Sequence, residues 1–256
     1  MTPERNPAPL DLLVEDAGDL GVLGHVPALP GLCFRASGPE EVKAIAPARI
    51  AEYVAWLRSE NLIDLTPETT RRTGIEDGSD VSVVIAEQVR GAPVWESGNA
   101  AALFERDLQP LDDAGVEAYL RFTRRVLDRI RDAVASLPAS ERARRPAPDR
   151  RSVDETLEHV GNCVWWYCSR IDDNLPEPEE PPGEDPLDRI DRLFEIAKAF
   201  LLAIPQVERA RTHVPARFPT ANPNERWTHA KVCRRQAEHA WTHLRGRGLK
   251  PKIRRS

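Results

Sequence analysis

The period of the apolar positions changes part-way along the chain. Before about residue 90 short alternating runs dominate, and from about residue 112 the spacing is helical. Residues 10–15 (LDLLVE) read as a strand, with 20–26 (LGVLGHV) as its hairpin partner across Ala17-Gly18-Asp19. The two prolines of Pro27-Ala28-Leu29-Pro30-Gly31 end that strand, since neither can donate to a ladder. A short strand is expected at 32–35. Ser37-Gly38-Pro39-Glu40-Glu41 looks like a helix start, and Val42, Ile45, Ile50, Val54 and Leu57 then share one helical side. Pro47 lies within that stretch, so either the first turn bends or the helix begins later. Residues 81–89 (VSVVIAEQV) supply a further strand. This order predicts a small α+β unit over residues 1–100, an antiparallel sheet covered by one helix.

Four amphipathic helices are expected beyond it. Residues 113–137 carry Val116, Leu120, Val126, Ile130 and Val134 at three- and four-residue steps and stop at Pro138. Residues 152–171 open with Ser152, followed three residues later by Glu155, the pattern of a capping box. Residues 187–204 stop at Pro205, and residues 228–245 run from Thr228 as a cap to Gly246 as a stop. Helices of similar length predict an all-α four-helix bundle over 108–246. Two connections are long: 172–186 is acidic and proline-rich, and 206–226 is polar. Each is a lid, a linker or a crossover. The segment 90–111 reads as the join between the units, and 247–256 as a basic tail.

Charge narrows the partners. The formal net charge is −5, which disfavours a nucleic-acid binder driven by phosphate attraction. The tail from Arg245 to Ser256 is basic and free of acids, and reads either as a contact for an anionic partner or as a solubilising end. No apolar run is long enough to span a bilayer, and the opening residues lack a secretory pattern, so a cytoplasmic location is expected. The four cysteines form no CxxC motif and are expected as free thiols.

The strongest chemical signal is His239-Ala240-Trp241-Thr242-His243. Four residues is just over one helical turn, so both imidazoles point the same way, about 5–6 Å apart at Cβ. His159, in the apolar stretch LEHVGNCVWWY, is the candidate third ligand from another helix. The pattern is not that of a zincin, because Ala240 stands where the catalytic glutamate would follow the first histidine. Glu238 precedes His239 and points about 100° away from it. Imidazole ligands suit zinc, nickel, iron or cobalt. The alternative is that each histidine is an ordinary hydrogen-bonded side chain. Gln236, one turn before His239, either lines the pocket or packs the core. Cys163, one turn after His159, is either a ligand or reactive group, or a buried inert thiol. Glu155 is either an outer acceptor for an imidazole or simply a cap. Trp165, Trp166, Tyr167 and Trp241 supply large apolar surface, most of it core, with one ring a candidate wall of the cavity. His25, His213 and His229 are left out of the site.

On SVDETLEHVGNCVWWYCSRI (152–171) and RWTHAKVCRRQAEHAWTHL (226–244), residues 113–246 resemble the DinB-like superfamily, which includes YfiT-type proteins and thiol-dependent S-transferases. The resemblance implies metal ligands at His159, His239 and His243, a compact and commonly dimeric bundle, and zinc, nickel or a similar ion. It also implies a low-molecular-weight thiol such as bacillithiol, mycothiol or glutathione, whose thiolate attacks an electrophile. Residues 8–60 and 81–89 resemble the HicB-like antitoxin fold, through Val26-Pro27-Ala28-Leu29-Pro30-Gly31 and the helix start at Ser37–Glu41. No helix-turn-helix pattern follows, so that unit is expected to be a dimerisation surface or a cover for the bundle's site.

Three functions compete. A metal- and thiol-dependent transferase requires an open metal position. A non-catalytic binding or stress-response module requires a closed site, with Cys163 as its candidate fourth ligand. A toxin–antitoxin component requires a protein partner at residues 1–90. Gln236 and Cys163 are the candidate cofactor-contacting residues, and the pattern singles out no catalytic residue.

Overall fold

The structure, a computed structural model, describes residues 8–62, 81–90, 102–217 and 225–246. The basic tail and half of the join between the units, residues 91–101, lie outside the described residues. The chain divides into two compact units, with the boundary between Phe104 and Glu105.

In the first unit, strands β1 (Leu10–Asp16), β2 (Val22–His25), β3 (Cys33–Ala36) and β4 (Val83–Arg90) form a sheet of order β3-β2-β1-β4. β1 and β2 are antiparallel, as are β2 and β3. β4 runs parallel to β1, so the sheet is mixed where alternation alone predicted an antiparallel one. The cause is topological. The chain leaves β3 through helix α1 (Pro39–Ser59) and returns beside the first strand rather than the third. A crossover of this kind lays strands parallel.

Helix α1 packs across all four strands, burying Val42, Ala46, Ile50, Tyr53, Val54 and Leu57. It starts at Pro39 and runs through Pro47 without interruption. Its continuous buried face holds together a turn from which Pro47 removes one N–H. Gly31 takes φ +83° in the predicted turn, a conformation costly for other residues. The Tyr53 hydroxyl donates to the Pro30 carbonyl and ties α1 to that turn.

The second unit contains helices α2 (Asp113–Val134), α3 (Ala139–Arg142), α4 (Val153–Cys168), α5 (Pro186–Ala203) and α6 (His229–Arg245). The four long ones close a ring, α2 against α6, α6 against α4, α4 against α5 and α5 against α2. Their apolar stripes supply its core, among them Val126, Ile130, Leu157, Val164, Leu193, Phe194, Val232 and Ala237. The one-turn α3 had no periodic signal in the sequence. At Gly161 a side chain would meet Ile190 and Leu193 at 3.3–3.4 Å, so this glycine lets α4 approach α5 closely.

Both long connections are anchored along their described parts. Asp173 accepts from the backbone N–H groups of Ala216 and Arg217, at 3.1 and 3.0 Å. The Arg217 guanidinium donates to the Leu175 carbonyl at 2.7 Å. His213 and Trp227 exchange backbone hydrogen bonds of 2.8 and 2.9 Å just before α6 begins. Among the described residues no helix is long and apolar enough to cross a membrane.

Candidate metal centre

Capping fixes the two helices that carry the histidines. At the start of α4, Glu155 N–H donates to Ser152 Oγ at 3.1 Å, and Ser152 N–H donates to the Glu155 carboxylate at 2.7 Å. At the start of α6, Lys231 N–H donates to Thr228 Oγ1 at 3.2 Å, while the Thr228 hydroxyl donates to the Asp107 carbonyl at 2.6 Å. Gln236 then joins the helices. Its amide nitrogen donates to the Val164 carbonyl at 2.8 Å and contacts Cys168 Sγ at 3.3 Å.

This alignment brings three imidazoles edge to edge. Nε2 of His239 lies 3.2 Å from Nε2 of His159 and 3.1 Å from Nε2 of His243. The His159 and His243 ring centroids are 5.3 Å apart. Cys163 Sγ is 3.6 Å from His159 Nδ1 and 3.8 Å from its Nε2. His159, Cys163 and His239 place ligand atoms within 4.8 Å of one another, a cluster capable of coordinating a metal, and His243 reaches it through His239. His159, Cys163 and His243 are only partly buried, so the cluster has a solvent-facing side.

The donor set fits a divalent ion. Nitrogens about 2.0–2.1 Å from one ion lie about 3.3–3.4 Å apart at tetrahedral angles and about 2.9 Å apart at octahedral ones. The observed 3.1–3.2 Å falls between these values. Hydrogen bonding alone satisfies the group poorly. A neutral imidazole nitrogen offers either one N–H or one in-plane lone pair, yet His239 Nε2 faces two other nitrogens. One cation would engage all three lone pairs.

The protonation states agree with this. Burial lowers His159 to about 4, with Arg151 adding to the shift. Burial, together with His159 and Arg151, also lowers His243 to about 4. His239 falls well below the usual histidine range, through burial first and then its two imidazole neighbours. All three are therefore neutral at physiological pH, the form that binds metals. Burial pushes the Cys163 thiol up to about 12, against the opposing pull of Arg151 and Arg235, so without a metal it stays protonated.

Residues 123–245 match the DinB superfamily. The C-terminal region is thus a DinB-superfamily domain. The match begins within α2 and ends with α6, so it takes in all three histidines and Cys163. No curated protein and no solved structure matches the chain.

Other side chains singled out from the sequence of the DinB-superfamily domain take different places. The Glu155 carboxylate is held by Arg145 and by the capping box, which lower it to about 2. Tyr167 is the aromatic wall, its ring edge-on to His239 at 5.8 Å between centroids. Trp241 packs toward Phe122 of α2, and the Trp165 indole donates to the Pro176 carbonyl at 3.0 Å. His229 Nε2 contacts the Leu201 carbonyl at 3.0 Å and His213 lies in the bridge to Trp227, both apart from the cluster.

Periodicity missed a buried chain of charges behind His239. Arg234 grips Asp107 with two bonds of 2.9 and 2.6 Å and lies 3.2 Å from Glu238. Arg235 donates to Glu238 at 2.8 Å and approaches the Tyr167 hydroxyl at 3.5 Å. Burial opposes the Arg234 charge, but Asp107 and Glu238 outweigh it and hold its pKa above the usual value. Arg-Arg followed by Glu four residues after the first arginine was visible in the sequence. What hid the network was Asp107, 127 residues away from Arg234 in the chain.

Proposed function

We propose that the DinB-superfamily domain holds a divalent ion, zinc or nickel, through His159, His239 and His243, and acts as a thiol-dependent S-transferase on a small electrophile. The observation that carries this reading is that His239 Nε2 lies 3.2 Å from Nε2 of His159 and 3.1 Å from Nε2 of His243, all three imidazoles being neutral. A bound ion would lower the pKa of a low-molecular-weight thiol and stabilise its thiolate. The chain's own residues provide the rest. Tyr167 walls the cluster on one side, and the Arg151 and Arg235 charges favour an anion there. In the transfer, the thiol sulfur bonds to the electrophilic carbon, the leaving group departs with its electron pair, and the thiol proton passes to solvent.

A second reading is a non-catalytic, metal-containing binding or stress-response module. It is favoured by the fate of Glu155 and Glu238, which lie on the two ligand-bearing helices one turn before His159 and next to His239. Both are engaged by arginines rather than directed at the cluster, so neither serves as a general base. The homodimer, and a HicB-like first unit acting as its interface or as a cover, rest on resemblance; sedimentation of the full chain tests the dimer.

The deciding assay uses the metal-loaded protein with a panel of thiols and chlorodinitrobenzene as electrophile. The transferase reading expects thioether formation well above the uncatalysed rate, and no enhancement with His239→Ala. Stoichiometric metal with no enhancement for any thiol would leave the non-catalytic module as the function.

A further inference from the structure

We infer that Cys163 is the fourth ligand of the metal-loaded centre, closing a site of three nitrogens and one sulfur that an incoming thiol must open. This rests on the metal-centre reading above and adds how access to that centre is controlled.

The placement of the sulfur carries the argument. Cys163 Sγ is almost equidistant from the two nitrogens of His159, at 3.6 and 3.8 Å. A sulfur accepting an N–H bond in the imidazole plane would be much nearer one nitrogen than the other, because the two N–H directions diverge. Cys163 is therefore not placed as a hydrogen-bonding partner that fixes the tautomer of His159. It is placed well for a shared ion. With metal–nitrogen bonds of about 2.0–2.1 Å and a metal–sulfur bond of about 2.3 Å, the nitrogen–sulfur edge of a tetrahedron is about 3.6 Å. The observed 3.8 Å to Nε2 differs by only a few tenths of an ångström, a change within reach of a small side-chain rotation.

The helical spacing agrees. Cys163 follows His159 by one turn on α4, as His243 follows His239 on α6, so each helix carries two donors on one face. Cys163 is also partly exposed, whereas Cys33, Cys168 and Cys233 are buried. The closed site is neutralised in part by the thiolate, which no carboxylate does for the three imidazoles. Binding releases the Cys163 thiol proton to solvent as the sulfur–metal bond forms. When a thiol later takes the position, its proton passes to the departing Cys163 sulfur. In that exchange one S–H bond is lost and one is made, and the proton reaches solvent when Cys163 binds the ion again after the transfer.

Cobalt(II) titration of the full-length protein tests this without relying on activity. The parent should bind one cobalt and show the intense near-ultraviolet absorption of a sulfur–cobalt bond. Cys163→Ala and Cys163→Ser should still bind cobalt through the histidines but lack that absorption. In cobalt-loaded Cys163→Ala, 2-mercaptoethanol should restore the absorption at about a tenth or less of the concentration that perturbs the parent spectrum, because no sulfur has to be displaced. Stoichiometric cobalt without the absorption in the parent would overturn the Cys163 assignment and leave the three-histidine centre standing. Equal mercaptoethanol requirements in parent and variant would overturn the displacement. Failure to bind cobalt would overturn both this inference and the metal-centre reading.

Discussion

Replacing Asp107 with asparagine keeps the side chain's shape and removes its charge. Among the described residues, ion pairs join Arg234 to Asp107 and Glu238, and Arg235 to Glu238. The Arg234 and Asp107 side chains are 6% and 5% exposed, and Glu238 is 2% exposed. Without the Asp107 charge, Arg234 loses the ion pair that its guanidinium makes at 2.6 Å. Breaking a buried pair in this way costs about 3–5 kcal/mol, and asparagine, which still accepts one hydrogen bond, should fall near about 3 kcal/mol. That is a large share of the roughly 5–15 kcal/mol that stabilises a domain. Urea unfolding followed by tryptophan fluorescence reads it well, since Trp165, Trp166, Trp227 and Trp241 all lie in this unit. Adding Arg234→Met should recover about 1 kcal/mol or more, because it removes the stranded charge. An Asp107→Asn protein within about 0.5 kcal/mol of the parent would refute the reasoning, because that loss is typical of an exposed pair.

Further expectations follow from the same geometry. In the folded chain His159 and His243 sit at about 4, against about 6.5 for an unfolded histidine. Between those values the unfolded chain binds more protons, so the metal-free protein loses stability as pH falls from about 6.5 toward 4. Urea midpoints across that range should fall less steeply for His159→Gln, and equal slopes would contradict the assignment. Ser152→Ala removes the acceptor at the start of α4 and should cost about 1 kcal/mol in urea unfolding while leaving metal content unchanged. Gln236→Leu removes the amide that joins α6 to Val164 of α4 and should cost about 1–3 kcal/mol. Retained metal in that variant would assign Gln236 to helix packing, and lost metal would assign it to the site.

What was legible in the sequence is what local physics decides. The capping box at Ser152 and Glu155, the Thr228 cap and the Gly246 stop are short-range patterns, and each is in place. The His-x-x-x-His spacing on one helix is equally local, and the helices appear within a few residues of the expected limits. Pairings between distant segments were not legible. Alternation along 81–89 signals a strand but carries no information about its neighbour, so the parallel partnership of β4 with β1 could not be read. Charged residues imply a solvated face by default, so nothing in Arg234, Arg235 and Glu238 indicated burial until Asp107 was brought against them. Cys163 and Gln236 were ambiguous because spacing places a residue on a stripe without saying which atoms it meets.

The measurement closest to the central claim is the metal content of the purified full-length protein, by elemental analysis after dialysis against zinc or nickel, beside His159→Ala and His239→Ala. About one divalent ion per chain is expected in the parent and little in either variant, with both variants folded by circular dichroism. A parent that retains no ion, or variants that retain as much as the parent, would contradict it.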